Sequence, residues 1–366
     1  MDLSLLKLFL PVILTFILGI LITPGLTNIF YKYKLWKKVA RKENKIDENV
    51  PVNKFGVRPG DVSLEFQKIN NSHEELKTPR VGGIVIWLSI ALCAAILFLL
   101  AEIFPNVATQ KINFVSKNQT LLPFLALILG ALWGLADDLL CSFVSKGKFS
   151  NGFPGWIMFS FVGVVGALFG FWFFHKLGVS SISVPFFETT LFLGSLFVPF
   201  FILVTLGVFS SGVIDGIDGL AGGVMATVFA SYATIAFFQN QIDIAAFSAV
   251  VAGAILAFLW FNIPPARFYM GETGMLALTL TLTVIAFLTD QVLLLPIIGF
   301  PLFFTSLSSF LQIISKKLYG PNGRIFRVAP VHHHFEAVGW SRAKITMRYW
   351  IISVVFAVSG IVIALL

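Results

Sequence analysis

Three groups of acids and one run of histidines stand out in this sequence, because packing alone does not explain them. Asp137 and Asp138 close a mostly apolar stretch in Gly134-Leu135-Ala136-Asp137-Asp138-Leu139. Neighbouring carboxylates repel, and at a membrane edge they need a metal ion, a lysine partner or one protonated member. Adjacent helical side chains point about 100° apart, so the pair divides between two roles. A solvated helix end is the plainer alternative. Asp215 and Asp218 lie in Ser211-Gly212-Val213-Ile214-Asp215-Gly216-Ile217-Asp218-Gly219-Leu220. If helical, their i, i+3 spacing puts both on one face. The glycines admit close approach of backbone or ligand, although glycine also serves helix packing in membranes.

Glu272 follows Asn262-Ile263-Pro264-Pro265-Ala266-Arg267-Phe268-Tyr269-Met270-Gly271. The prolines stiffen the start of that loop. Asn262, Arg267 and Glu272 offer an amide, a cation and a hard oxygen ligand. Such oxygens suit Mg²⁺, which keeps waters and binds along with substrate phosphates. A surface Arg267–Glu272 ion pair is the alternative. His332, His333 and His334 precede Phe335 and Glu336. Three consecutive histidines rarely converge on one tetrahedral metal, and no cysteine or spaced histidine completes a zinc site. Donors to phosphate or a nucleobase fit better. His73 and His175 stand alone and read as ordinary loop residues. In Thr78-Pro79-Arg80-Val81-Gly82-Gly83, the hydroxyl, the guanidinium and free backbone N–H groups either hold an anion at a helix start or simply cap it. Phosphoryl transfer unites these parts, since that chemistry is mostly positioning and charge neutralisation.

The elements that must position them are membrane helices. Hydrophobic residues make up 57% of the 366 and charged ones 12%, against about 25% charged in soluble domains. A bilayer-crossing helix needs about 20 apolar residues. Ten segments qualify, at about 3–24, 82–101, 121–136, 154–174, 189–208, 219–237, 243–262, 273–289, 291–314 and 345–366. The first apolar run is too long for a cleaved leader and has no small-residue cleavage site, so it reads as a retained span. Of 26 Lys and Arg, twelve lie in residues 31–80 and seven in 316–348, and the even-numbered loops hold only Lys111, Lys117 and Lys176. Positive-inside reasoning puts the odd loops in the cytoplasm and both termini outside. The expected architecture is therefore an all-α polytopic integral membrane protein, residues 1–366 forming a single transmembrane domain, with its polar residues at the cytoplasmic face. No acid lies mid-span, which argues against a transporter. The basic loops carry no nucleic-acid-binding module. Cys93 and Cys141 fall too far apart for a disulfide framework.

On residues 78–83, 134–139, 215–221, 262–274 and 329–340, taken in order, the chain resembles the polyprenyl-phosphate N-acetylhexosamine-1-phosphate transferases. Pro330-Val331-His332-His333-His334-Phe335-Glu336, Gly339-Trp340 and Arg348-Tyr349-Trp350-Ile351-Ile352-Ser353 point to the muramoyl-pentapeptide branch. The resemblance implies a multi-pass protein of the bacterial cytoplasmic membrane, Mg²⁺ as cofactor, and a homodimer. UDP-N-acetylmuramoyl-pentapeptide would pass its phospho-sugar to undecaprenyl phosphate, giving lipid I and UMP. Asp137, Asp138 and Asp215 would line the reaction centre, one aspartate of the adjacent pair deprotonating the acceptor phosphate or attacking as nucleophile. Glu272 would occupy the metal-binding position, with Asp137 as a second ligand. Asn262, Tyr269 and Gly271 would line the uridine pocket, and His332, His333 and His334 the nucleotide and phosphate end. Thr78 and Asp218 are further candidate substrate contacts.

The chain departs from that pattern in places. Glu272 stands for the family's usual Asp, Gly212 for Asn and Ile214 for Thr. Lys77 adjoins Thr78 where the family's Lys lies a few residues earlier, and the first loop has an extra polar stretch around 42–68. Arg80 and Val213-Ile214 are closer to the N-acetylglucosamine-1-phosphate branch, the rival donor assignment. A catalytically inactive scaffold is a further reading of the Gly212 and Glu272 substitutions.

Overall fold

A computed structural model describes residues 3–37, 77–116, 119–144, 146–187, 189–320 and 323–366. The polar stretch at 42–68 and His73 lie outside the described residues. The helices are α1 (Leu3–Lys32), α2 (Ile84–Ile103), α3 (Val107–Ile112), α4 (Leu121–Phe143), α5 (Gly155–Lys176), α6 (Phe197–Ser210), α7 (Leu220–Phe238), α8 (Ile242–Asn262), α9 (Gly271–Leu288), α10 (Leu295–Ile298), α11 (Phe300–Tyr319), α12 (Val331–Ala337) and α13 (Arg342–Leu365). Lipid offers no partner for backbone N–H and C=O groups, so apolar spans satisfy them internally as helices. Among the described residues nine helices are long and apolar enough to cross a membrane, and α10 with α11 makes a tenth as a broken span. The protein is an all-α polytopic membrane protein.

Helices α7, α8 and α9 form the buried centre, where Phe229, Tyr232, Phe247 and Phe258 are fully enclosed. Helices α1 and α13 lie outside, exposing Phe9, Ile13, Ile351 and Val355. A Cβ on Gly19 of α1 would lie 2.5 Å from Ala257 Cβ of α8, so this crossing depends on small residues. The α4–α9 crossing is tighter. A Cβ on Gly130 would lie 2.7 Å from Ala277 Cα, and one on Gly134 would lie 2.2 Å from the Glu272 carbonyl oxygen. This Gly-x-x-x-Gly face brings the end of α4, with Asp137 and Asp138, against the start of α9.

Two expected spans are corrected. Residues 189–208 do not start as helix: β2 (Thr190–Phe192) pairs antiparallel with β1 (Ser181–Ser183), and α6 begins at Phe197. Asp290, in the turn after α9, accepts hydrogen bonds from Ser183 N (3.1 Å) and Ser183 Oγ (2.5 Å), tying the hairpin down. Residues 291–314 break at Gly299, where α10 and α11 meet at 84°. Pro296 and Pro301 remove backbone donors on both sides of that glycine, the kind of sequence at which helices kink.

Candidate active site

The first turn of α9 organises the site. The leading N–H groups of a helix have no partner inside it and carry the positive end of the helix dipole. Here consecutive residues donate to one carboxylate of α4, and the preceding Gly271 N–H favours the charged form of the Asp215 carboxylate. Glu272 N bonds Asp138 Oδ1 at 3.2 Å and Thr273 N bonds Asp138 Oδ2 at 2.9 Å. Gly271 takes φ +68°, and a Cβ there would fall 1.9 Å from the Arg80 carbonyl oxygen and 2.5 Å from Asp138 Oδ2. Only glycine fits that crossing of chains. Asp137 turns the other way and accepts from Phe153 N at 2.5 Å. Gly152 lies so close that its Cβ would meet Asp137 Oδ1 at 2.5 Å. The adjacent aspartates are thus split between two backbone donors' segments, as their 100° offset implies.

Arg80, Asp137, Asp138, Asp215, Gly271 and Glu272 line one cavity of about 570 Å³. Its opposite wall is apolar, from Phe159, Phe209, Phe310 and Ile313. A pocket that joins carboxylates to an apolar wall between helices suits a substrate with a charged head and a lipid tail. Asp215 lies just beyond the broken end of α6, and burial pushes its pKa up to about 6, opposed by Arg80 and by the Gly271 N–H and reinforced by Asp218. Among the described residues no three Asp, Glu, His or Cys side chains converge into a closed metal cage. The donor set is instead several carboxylate oxygens opening on one cavity. That fits a hard cation that keeps waters and shares substrate phosphates, and so fits Mg²⁺.

A second layer holds the Asp215 loop. Residues 215–219 form turns, not helix, so Asp215 and Asp218 do not share a helix face as their spacing suggested. Asp218 Oδ2 accepts from Ala266 N at 3.2 Å. Asn262 bridges two loops, accepting from Gly219 N at 2.9 Å and donating to the Phe268 carbonyl at 2.9 Å. From α13, Thr346 Oγ1 donates to the Asp218 carbonyl and Trp350 Nε1 to the Gly219 carbonyl, each at 3.1 Å. His332 is fully buried and His333 nearly so. A Cβ on Gly216 would lie 2.6 Å from His332 Nε2 and 2.9 Å from His333 Nε2, so both rings press on this loop. Burial, helped by the neighbouring His333, holds the His332 pKa well below its ordinary value. His333 Nδ1 is 2.6 Å from Glu336 Oε2, and Arg342 Nε donates to Glu336 Oε1 at 2.8 Å. Burial raises the Glu336 pKa, but these two partners outweigh it and hold it below the usual range. Half-buried His334 accepts from Arg327 N at 3.2 Å.

The structure therefore brings Asp137, Asp138, Asp215, Gly271 and Glu272 to the cavity wall. Asp218, Asn262, Tyr269, His332, His333 and His334 are not among the residues that line the cavity. The backbone N–H groups expected to be free after Arg80 are not: Gly82 N bonds the Tyr269 carbonyl and Gly83 N the Met270 carbonyl, both at 2.9 Å. Thr78, beside this lacing, is buried. Arg267 does not pair with Glu272 and stands 5.7 Å from the Phe261 ring centroid. Sequence reasoning missed Phe153, although the Asn151-Gly152 turn signal precedes it. It also missed Trp350 and Thr346, whose contacts depend on tertiary structure.

The chain is a helical membrane bundle with a carboxylate-lined cavity, and comparison identifies its class as a membrane transferase. The family model Glycosyl transferase family 4 matches residues 120–290. The phospho-N-acetylmuramoyl-pentapeptide-transferase of Anoxybacillus flavithermus is 34% identical over 303 residues, covering 80% of this chain and 86% of the relative. That of Bacillus subtilis is 35% identical over 294 residues, with 80% and 86% covered. That of Chloroflexus aurantiacus is 35% identical over 302 residues, with 79% and 77% covered. The chain belongs to the phospho-N-acetylmuramoyl-pentapeptide-transferase family.

Proposed function

We propose that this chain transfers phospho-N-acetylmuramoyl-pentapeptide from its UDP-linked donor to undecaprenyl phosphate, forming lipid I and releasing UMP. The observation that carries the reading is the α9 first turn, which fixes Asp138 on the cavity that Asp137, Asp215 and Glu272 also line. The concentration of Lys and Arg in residues 31–80 and 316–348 supports a site at the cytoplasmic face of the bacterial inner membrane. The soluble donor reaches the cavity from the cytoplasm and the lipid acceptor from the bilayer.

An oxygen of the acceptor phosphate forms the new bond to the sugar-bearing phosphorus of the donor. The bond from that phosphorus to the UMP oxygen breaks, and UMP leaves with the electron pair. Asp138 has both oxygens held by backbone N–H groups and stands fixed on the cavity wall. Asp215, with its pKa near 6, is suited to hold or release a proton at the acceptor phosphate. Glu272 and Asp137 would hold Mg²⁺, which supplies charge neutralisation for the phosphates when bound. Asn262, Asp218, His332 and His333 position the Asp215 loop, and His334 holds the Arg327 backbone.

The test is UMP release by the purified protein, offered UDP-N-acetylmuramoyl-pentapeptide or UDP-N-acetylglucosamine with undecaprenyl phosphate. Release with the first donor supports the reading. Release only with the second moves the protein to the neighbouring donor class, and release with neither refutes the transferase.

A further inference from the structure

Arg80 is the only cation among the described residues that line the cavity, and it faces four carboxylates there. It lies within electrostatic range of Asp137, Asp138, Asp215 and Glu272. Yet among the described residues its guanidinium makes no hydrogen bond or ion pair with any of them. An arginine beside so much negative charge normally closes a bidentate pair. Here its backbone is fixed while the guanidinium stays unpaired among the described residues. Arg80 N donates to the Leu35 carbonyl at 2.9 Å, and the Arg80 carbonyl oxygen is pressed against Gly271. On either side, Tyr269 N bonds the Pro79 carbonyl (2.8 Å), and Gly82 N and Gly83 N bond back to the carbonyls of Tyr269 and Met270 (2.9 Å each). The segment at 79–83 is thus laced to the segment at 269–270, and the half-buried Arg80 side chain lines the cavity.

A wall of four carboxylates repels a substrate phosphate unless cations stand between them. A guanidinium held near the acids but bonded to none supplies such a cation, with five donors in a fixed fork that matches phosphate oxygens. We infer that Arg80 is the phosphate-binding cation of this site, its guanidinium taking substrate phosphoryl oxygens through charge-assisted hydrogen bonds. The inference rests on the reading that phosphorylated substrates occupy this cavity. The shared chemistry is a phosphate ester, carried by the nucleotide donor as a diphosphate and by the lipid acceptor as a monoester.

The experiment uses the full chain purified in detergent with Mg²⁺, as wild type, Arg80→Gln and Arg80→Lys. UMP release is measured with each substrate varied against a saturating amount of the other. Losing charge-assisted bonds lowers kcat/KM by about 10- to 100-fold in Arg80→Gln. Arg80→Lys recovers part of the loss, since it keeps the charge but not the fork. A rise in KM confined to the donor assigns the guanidinium to the diphosphate, and one confined to the acceptor assigns it to the lipid phosphate; either supports the inference. A binding arm needs no turnover, comparing UMP with uridine and undecaprenyl phosphate with undecaprenol. Weakening of a phosphorylated probe without its neutral counterpart supports the inference. Unchanged kinetics, or equal weakening of phosphorylated and neutral probes, overturns it. If wild type releases no UMP while a phosphate probe still depends on Arg80, the function proposed above fails and the phosphate site stands.

Discussion

Replacing Gly271 with alanine puts a methyl carbon 1.9 Å from the Arg80 carbonyl oxygen and 2.5 Å from Asp138 Oδ2. Neither neighbour is the free end of a flexible side chain. Arg80 is laced at Leu35, and Asp138 is held by Glu272 N and Thr273 N. Residue 271 also sits at φ +68°, where an L side chain costs about 1–2 kcal/mol. Overpacking adds about 1–3 kcal/mol, so the substitution destabilises by about 2–5 kcal/mol and lowers Tm by several degrees. Activity falls further than stability accounts for, because the N–H groups of 272 and 273, next to the substitution, are the donors that fix Asp138. A shift of about 1 Å in reacting groups costs about 10²-fold in rate. The assay is UMP release beside a thermal melt. Gly207→Ala is the control, since a Cβ there meets nothing within 4 Å. Wild-type Tm and wild-type turnover in Gly271→Ala would refute the claim that this crossing sets the site.

Further outcomes follow from the same geometry. The Asp215 pKa near 6 exceeds its ordinary 3.8, so folding favours the protonated form, and the stability this contributes is full below about pH 4 and lost as pH rises through 6. UMP release should therefore show an acid limb with a midpoint near 6, and Asp215→Asn should lack that limb and turn over slowly across pH 5–8. The depressed pKa of Glu336 gives the opposite sign: its stabilisation is present above its unfolded value near 4.5 and lost as pH falls further. Melts of wild type and Glu336→Gln at neutral pH should differ by about 3 kcal/mol and converge in acid. Trp350→Phe keeps the ring but loses the 3.1 Å bond to the Gly219 carbonyl. It should cost about 1 kcal/mol in stability and lower UMP release with little change in fold.

The helices were legible because each is one long apolar run, and the acids because they interrupt those runs at the ends. Asp137 and Asp138 were separable from sequence, since neighbours on a helix cannot face one point. The hairpin at Ser181–Ser183 and Thr190–Phe192 was hidden, because Thr190-Leu191-Phe192 continues an apolar run that reads as the start of a helix. The bend at Gly299 was hidden in the same way, by apolar residues on both sides of it. Arg80, Gly271 and Asn262 were visible as residues but not in their geometry. Asn262 has a polar amide that suits a ligand, yet both its ends are used by backbone groups of two loops. Such bonds between segments 43 residues apart leave no local pattern in a sequence.

We propose that the carboxylates lining the cavity beside the α9 first turn form a metal-dependent phosphotransfer site. The most direct test measures UMP release from UDP-N-acetylmuramoyl-pentapeptide and undecaprenyl phosphate, with Mg²⁺ present or chelated, for wild type and Asp138→Asn. UMP release by wild type should stop on chelation and return with Mg²⁺, and a folded Asp138→Asn should release it at least about 10²-fold more slowly. Release that survives chelation, or an Asp138→Asn protein that works at the wild-type rate, would contradict the proposal.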